Sequence, residues 1–213
     1  MSARPMLALA ALLLLAACGE ETRDSTGSAP ATTATAVARP AAVPAAPGRV
    51  STYFPTLVLD DGDGAELCLG GVADSLPPQC GGPPIVGWDW AQHRGDFEQR
   101  NGVRWGEFMI TGTFDGTSIT PTEVVRGRDV EPPDLPPEDD DSSLGTAQHT
   151  DAELARIQDE VSDLPGFTGS DHGDDVVNLT VTYDDGSLQA WVDATYGEGT
   201  VLVFSALQDV REG

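Results

Sequence analysis

Three histidines, three cysteines, four tryptophans and 35 acidic residues are the side chains of this 213-residue chain with chemistry to offer. The histidines, His93, His149 and His172, stand in no Gly-x-Ser-x-Gly or His-Glu-x-x-His context. No phosphate-binding loop or dinucleotide fingerprint is present. Carboxylates abound, but hydrolysis by a carboxylate pair needs two held across a cleft, and no spacing here pairs them. No catalytic residue is assigned. Asp60-Asp61-Gly62-Asp63-Gly64 invites comparison with a calcium loop, which needs an acid at its twelfth position. Counting from Asp61 reaches Val72, and from Asp60 reaches Gly71, so the stretch reads as a turn. Asp171-His172-Gly173-Asp174-Asp175 offers oxygen and imidazole ligands, but a lone histidine in an acidic loop is ordinarily solvated. No metal ligand and no cofactor is assigned. Arg94-Gly95-Asp96 matches an adhesion tripeptide and Asn178-Leu179-Thr180 a glycosylation sequon; both are short enough to arise by chance.

Cys18 has the most specific surroundings. Residues 1–5 carry one positively charged side chain, Arg4, and residues 6–17 are an unbroken run of Leu, Ala and Met. A dozen apolar residues fall short of the roughly 30 Å core of a bilayer, and suit the apolar region of a signal peptide. Leu15-Ala16-Ala17-Cys18 ends the run with small residues before a thiol. This resembles the lipobox of bacterial lipoproteins. The resemblance implies cleavage before Cys18, acylation of its thiol and a partner in the lipid bilayer. Two acyl chains give a stable anchor, each buried CH₂ contributing about 0.8 kcal/mol.

Export places the two remaining cysteines, Cys68 and Cys80, in an oxidising compartment, where an even pair reads as a disulfide. Neither a Cys-x-x-Cys redox spacing nor histidine ligands for zinc accompany them. Trp88 and Trp90 follow closely, and on a strand they share one face; Trp105 begins the next apolar run. Core packing accounts for such residues, and so does a platform that stacks a wall sugar or peptide beside the disulfide loop. Trp88, Trp90 and Trp105 are therefore the candidate binding residues.

The elements that must position these groups fall into five stretches. Residues 1–17 are the lipoprotein signal peptide. Residues 18–48, rich in Ala, Thr and Pro, read as a disordered tether that spans about 30 Å as a coil or up to about 90 Å as polyproline II. Residues 49–126 read as a small all-β barrel or sandwich containing the disulfide, with an OB-like rhythm in "VRWGEFMITGTFDGTSITPTEV". Its strands are 56–59, 65–69, 85–90, 103–114 and 117–125; Phe108, Ile110 and Phe114 share one face, and Asp115-Gly116 makes a hairpin turn. Residues 127–148, with four prolines and Glu138-Asp139-Asp140-Asp141, read as an acidic linker. Residues 149–213 read as a small α+β domain. Thr150 and Glu153 make a capping box; Leu154, Ile157, Val161 and Leu164 follow at helical spacing, and Pro165-Gly166 ends the helix. Strands at 176–183, 187–195 and 200–206 form a three-stranded antiparallel sheet against it. The fold class expected is thus mixed, all-β followed by α+β.

The formal charge is -24, and none of the 11 Lys and Arg residues is a Lys. Without a basic cluster the chain is not expected to bind nucleic acid or adsorb to anionic lipid. "LCLGGVADSLPPQCGGPPIVGWDW" with "GVRWGEFMITGTFDG", and the ending "DDGSLQAWVDATYGEGTVLVFSAL", resemble lipoproteins of high-G+C Gram-positive bacteria. The resemblance covers most of both folded stretches and implies localisation and fold, but no catalytic residue. The expectation is a non-enzymatic protein, lipid-anchored on the extracytoplasmic face of the cell membrane, that binds an envelope or extracellular ligand. The alternatives are a structural accessory of the envelope and a carboxylate-dependent wall hydrolase.

Overall fold

The computed structural model describes residues 36–131, 149–173 and 175–211. Cys18, the apolar run before it, much of the 18–48 stretch and most of the acidic break lie outside the described residues. Ala36–Gly213 form one compact unit.

That unit is organised by a single long strand. β1 (Arg49–Thr52), β2 (Thr56–Asp60), β3 (Ala65–Leu67), β4 (Glu98–Arg100), β5 (Val103–Phe114) and β6 (Ile119–Arg126) come from the first stretch. β5 pairs antiparallel with β2 and then β1 along one edge, and with β4 and then β6 along the other. Alternation along β5 sends Phe108, Ile110 and Phe114 into a core with Val50, Val58 and Ile119. Trp105 and Glu107 have the opposite parity and lie on the outer face. The Asp115 carboxylate accepts from the backbone N–H groups of Thr117 (2.8 Å) and Ser118 (2.7 Å), which closes the expected β5–β6 hairpin. These bonds, with those from both hydroxyls, hold the carboxyl well below the usual aspartate range. Asp60 likewise accepts from Gly62 N–H at 2.9 Å, so the Asp- and Gly-rich stretch is the β2–β3 turn.

The barrel expectation is corrected. The sheet has seven strands, ordered β10-β1-β5-β2-β3, where β10 is the late strand Leu207–Asp209, with β4 and β6 on the far edge of β5, and it does not close. Between β3 and β6 run single bridges: Ile85 N–H donates to Ala65 O, and Ile119 N–H to Pro84 O. Residues 85–90, expected as a strand, make bridges and turns and lead into the 3-10 turn Trp90–His93, where the Asp89 carboxylate accepts from Ala91 N–H at 2.9 Å. Gly87, at φ 75, and the Asp89 cap outweigh the apolar character of the run.

The second stretch opens as expected. α1 (Asp151–Val161) carries the Thr150–Glu153 capping box and buries Leu154, Ile157 and Val161. β7 (Phe167–His172), expected as loop, pairs antiparallel with β8 (Val177–Val181). The larger correction is α2 (Ser187–Tyr196), a helix where a strand was expected. Its start is fixed by Asp184, whose two carboxylate oxygens accept from Leu188 N–H (2.9 Å) and Gln189 N–H (3.2 Å). Leu188 and Val192 then fall one turn apart on the buried face. A helix between β8 and β9 (Val201–Ser205) lets those strands run parallel, so the three-stranded sheet is mixed and not an antiparallel meander. Gln189 ties α2 to β9: its amide donates to Val201 O (3.0 Å) and accepts from Val203 N–H (2.8 Å).

β10 (Leu207–Asp209) pairs with β1, so the 149–213 stretch contributes a strand to the first sheet. Tyr183 also enters the first core, and its hydroxyl donates to Asp209 at 3.0 Å. Burial and that bond push the phenol up to about 12. The end of the 18–48 stretch packs on the same body. Ala46 N–H donates to Phe114 O at 3.0 Å, Val43 rests on the first core, and the Arg39 guanidinium carbon lies 5.6 Å from the Trp191 ring centre.

Candidate functional site

Cys68 and Cys80 form a disulfide, with Cα atoms 5.6 Å apart. Such a bond is typical of extracytoplasmic proteins. Among the described residues, no helix is long and apolar enough to cross a membrane. The loop is tied internally: Ala73 N–H donates to Gln79 O (2.8 Å) and the Ser75 hydroxyl to Pro77 O (2.9 Å). Replacing both cysteines by serine should lower stability by roughly 3 kcal/mol in urea unfolding. Alkylation of Cys68 and Cys80 in the native protein before any reduction would contradict the bridge.

The disulfide loop borders a groove on the outer face of the sheet. Register places Leu59, Trp105 and Glu98 side by side across β2, β5 and β4, and Leu57 beside Glu107. Trp105, 8 % exposed, sits in the floor of this groove of about 620 Å³. Val72, Leu76 and Pro78 of the disulfide loop line one side, with Leu76 61 % exposed. Asp96, Arg126 and Arg128 line another part.

The charged part is assembled where the far edge of β5 passes from β4 to β6. Asp96 fills that break, and Gly106 makes room for it: a Cβ on Gly106 would lie 2.6 Å from Asp96 O. The Asp96 carboxylate, 13 % exposed, accepts from the Arg128 guanidinium at 2.5 Å and lies 3.8 Å from that of Arg126. Arg126 also pairs with Asp129 at 2.5 Å. Both arginine side chains remain about half exposed, at 49 % and 57 %. The Arg94-Gly95-Asp96 tripeptide therefore has its acid committed to the protein's own arginines.

Asp96 and Arg126 also line a second groove, of about 590 Å³, with Trp88, His93 and Glu123. Trp88 is partly buried and stacks on His93, centroids 4.4 Å apart, with the Phe108 ring at 5.1 Å. Its indole N–H is buried without an acceptor among the described residues. Burial pushes the His93 imidazole below its ordinary value, against the opposing pull of Asp96 and Asp89. Trp90 belongs to the core: it is 6 % exposed and its indole N–H donates to Asp60 at 2.8 Å.

The three candidate tryptophans thus have three different placements. Trp88 and Trp90 do not share a strand face, since neither lies in a strand, and their rings meet edge-on at 5.4 Å. Of the three, Trp105 alone lies in the floor of the groove beside the disulfide loop. The remaining histidines serve local contacts. His149 lies 3.2 Å from the Thr200 hydroxyl, and His172 contacts Gln158 (2.5 Å) and Asp151 (3.2 Å) of α1. Among the described residues no group of three His, Cys, Asp or Glu side chains is placed to hold a metal ion.

No family model, curated protein or solved structure matches this chain.

Of the charged residues of the groove, sequence reasoning names Asp96 alone, within the Arg94-Gly95-Asp96 tripeptide; Glu98, Glu107, Arg126 and Arg128 are missed, although a signal existed for the arginines. Five of the 11 arginines fall between residues 94 and 128, in a chain of charge -24.

Proposed function

We propose that this chain is a lipid-anchored extracytoplasmic protein, not an enzyme, whose Trp105 groove binds a component of the cell envelope or its surroundings. Anchoring is supported by the lipobox-like Leu15-Ala16-Ala17-Cys18 and the resemblance to lipoproteins of high-G+C Gram-positive bacteria. Binding is supported by one observation. A floor of Leu57, Trp105, Glu98 and Glu107 meets an apolar loop wall and half-exposed arginines in a groove of about 620 Å³, within the usual range of about 300–1,000 Å³ for ligand sites. A disulfide-closed loop forms part of that wall, so less order has to be acquired on binding.

The test is a pull-down from isolated envelope fractions with the mature chain and with Leu76→Glu. Leu76 is exposed, so the variant keeps the fold while placing a charge on the apolar wall. Capture by the parent and loss of capture by the variant is the expected result. Equal capture by both would remove the groove from the account.

One observation favours hydrolysis instead. Glu98 and Glu107 are diagonal neighbours on the outer face, since Glu98 is paired with Trp105. Both are exposed, whereas a carboxylic acid that serves as a proton donor near neutral pH is usually kept neutral by burial. Release of soluble sugar or peptide from envelope by the parent, lost in Glu98→Gln and Glu107→Gln, would favour hydrolysis.

A further inference from the structure

The occupant's chemistry follows from the groove's charge pattern, and it rests on the binding reading above. Two guanidiniums line the groove, each about half exposed: Arg128 is paired with Asp96, and Arg126 lies between Asp96 and Asp129. Two carboxylates, Glu98 and Glu107, lie on the strands of its floor and hold no ion pair among the described residues. Aliphatic side chains of the disulfide loop and Trp105 line the same groove.

Each simple class of ligand leaves part of this pattern unanswered. A neutral sugar would need an open aromatic face, and Trp105 is only 8 % exposed. A purely anionic ligand meets the two glutamates, and a purely cationic one meets the arginines. An aliphatic chain alone would desolvate charged groups without compensation. We propose that the Trp105 groove takes a short peptide with both termini free, its carboxylate on Arg126 and Arg128, its ammonium on Glu98 and Glu107, and an aliphatic side chain against Leu76 and Val72. The fork geometry of guanidinium suits a carboxylate in particular, because two parallel N–H bonds can be donated to its two oxygens. Asp96 and Asp129 engage part of the donor set of these guanidiniums, and the half-exposed heads keep further N–H groups for a ligand.

The experiment is a titration of the isotope-labelled mature chain, followed through the indole N–H resonance of Trp105 assigned by Trp105→Phe. The probes are the tripeptide Ala-Leu-Ala, its N-acetylated form and its C-terminal amide. The free peptide should move the Trp105 resonance, and each blocked form should bind about tenfold more weakly, a difference of about 1.4 kcal/mol. Arg128→Ala should no longer distinguish the free acid from the amide, and Glu98→Gln should discriminate less between the free and acetylated forms. Both residues are exposed, so melting temperatures near the parent's identify these as binding effects. Equal binding of all three peptides overturns the proposal. If the tripeptide leaves Trp105 unmoved while a digest of isolated envelope moves it, the peptide assignment falls and the groove remains a binding site. If neither moves it, both fall.

Discussion

Trp90→Ala should destabilise the chain by about 3–5 kcal/mol, the largest single-residue effect expected among its tryptophans. Trp90 is 6 % exposed and touches the rings of Trp88, Phe97 and Phe108, which join it in the first core. Alanine would leave a cavity lined by aromatic rings that cannot all collapse into it. It would also remove the indole N–H from Asp60, which then keeps the Gly62 N–H and the nearby Arg104. Trp90→Phe retains most of the ring and loses that bond, so its cost should be smaller, about 1–3 kcal/mol. Urea unfolding followed by circular dichroism measures both. A Trp90→Ala variant within about 1 kcal/mol of the parent, outside the range for a core cavity, would show that the ring is not structural.

Phe108→Ala should cost about 3–5 kcal/mol and Leu154→Ala about 2–5 kcal/mol, and both should move the same unfolding transition. The two side chains lie in different buried clusters, one in the seven-stranded sheet and one under α1. The clusters are nonetheless joined. β10 extends the first sheet beside β1, Leu207 is fully buried in the first core, and Tyr183 enters that core from the second stretch. Calorimetry should therefore show one transition in the parent and in both variants, displaced downward in each. Two transitions, with each variant moving only its own, would mean that residues 49–126 and 149–213 unfold as separate domains.

Local rules made some elements legible in the sequence. Thr150 and Glu153 marked a helix start three residues apart, and Leu154, Ile157 and Val161 then supplied its buried face. The parity of Phe108, Ile110 and Phe114 identified the core side of β5, while Asp115-Gly116 marked the turn that follows. α2 was harder because its decisive cap, Asp184, precedes the helix inside what reads as an ordinary Asp-Asp-Gly turn. Trp191 and Val192 also resemble strand residues as readily as helical ones.

The site was less legible for a different reason. Cys68, Cys80 and Trp105 were visible as residues of interest, and parity alone puts Trp105 on the face opposite Phe108. What borders that face depends on where the disulfide loop travels after β3. The charged groups depend on a longer-range event still: Asp96 must enter the break between β4 and β6 and meet Arg126 and Arg128. Gly106 permits that approach, but a glycine inside a strand can be there for several reasons.

The central claim, that the Trp105 groove contacts an envelope component while the protein is in place, is tested most directly by photo-crosslinking in intact cells. A photoreactive amino acid at Leu76 would report from the groove wall, and one at Phe204, which is 50 % exposed on β9, would report from outside it. A discrete adduct from position 76 and none from position 204 is the predicted result. No adduct from position 76, or the same adduct from both positions, would contradict the claim.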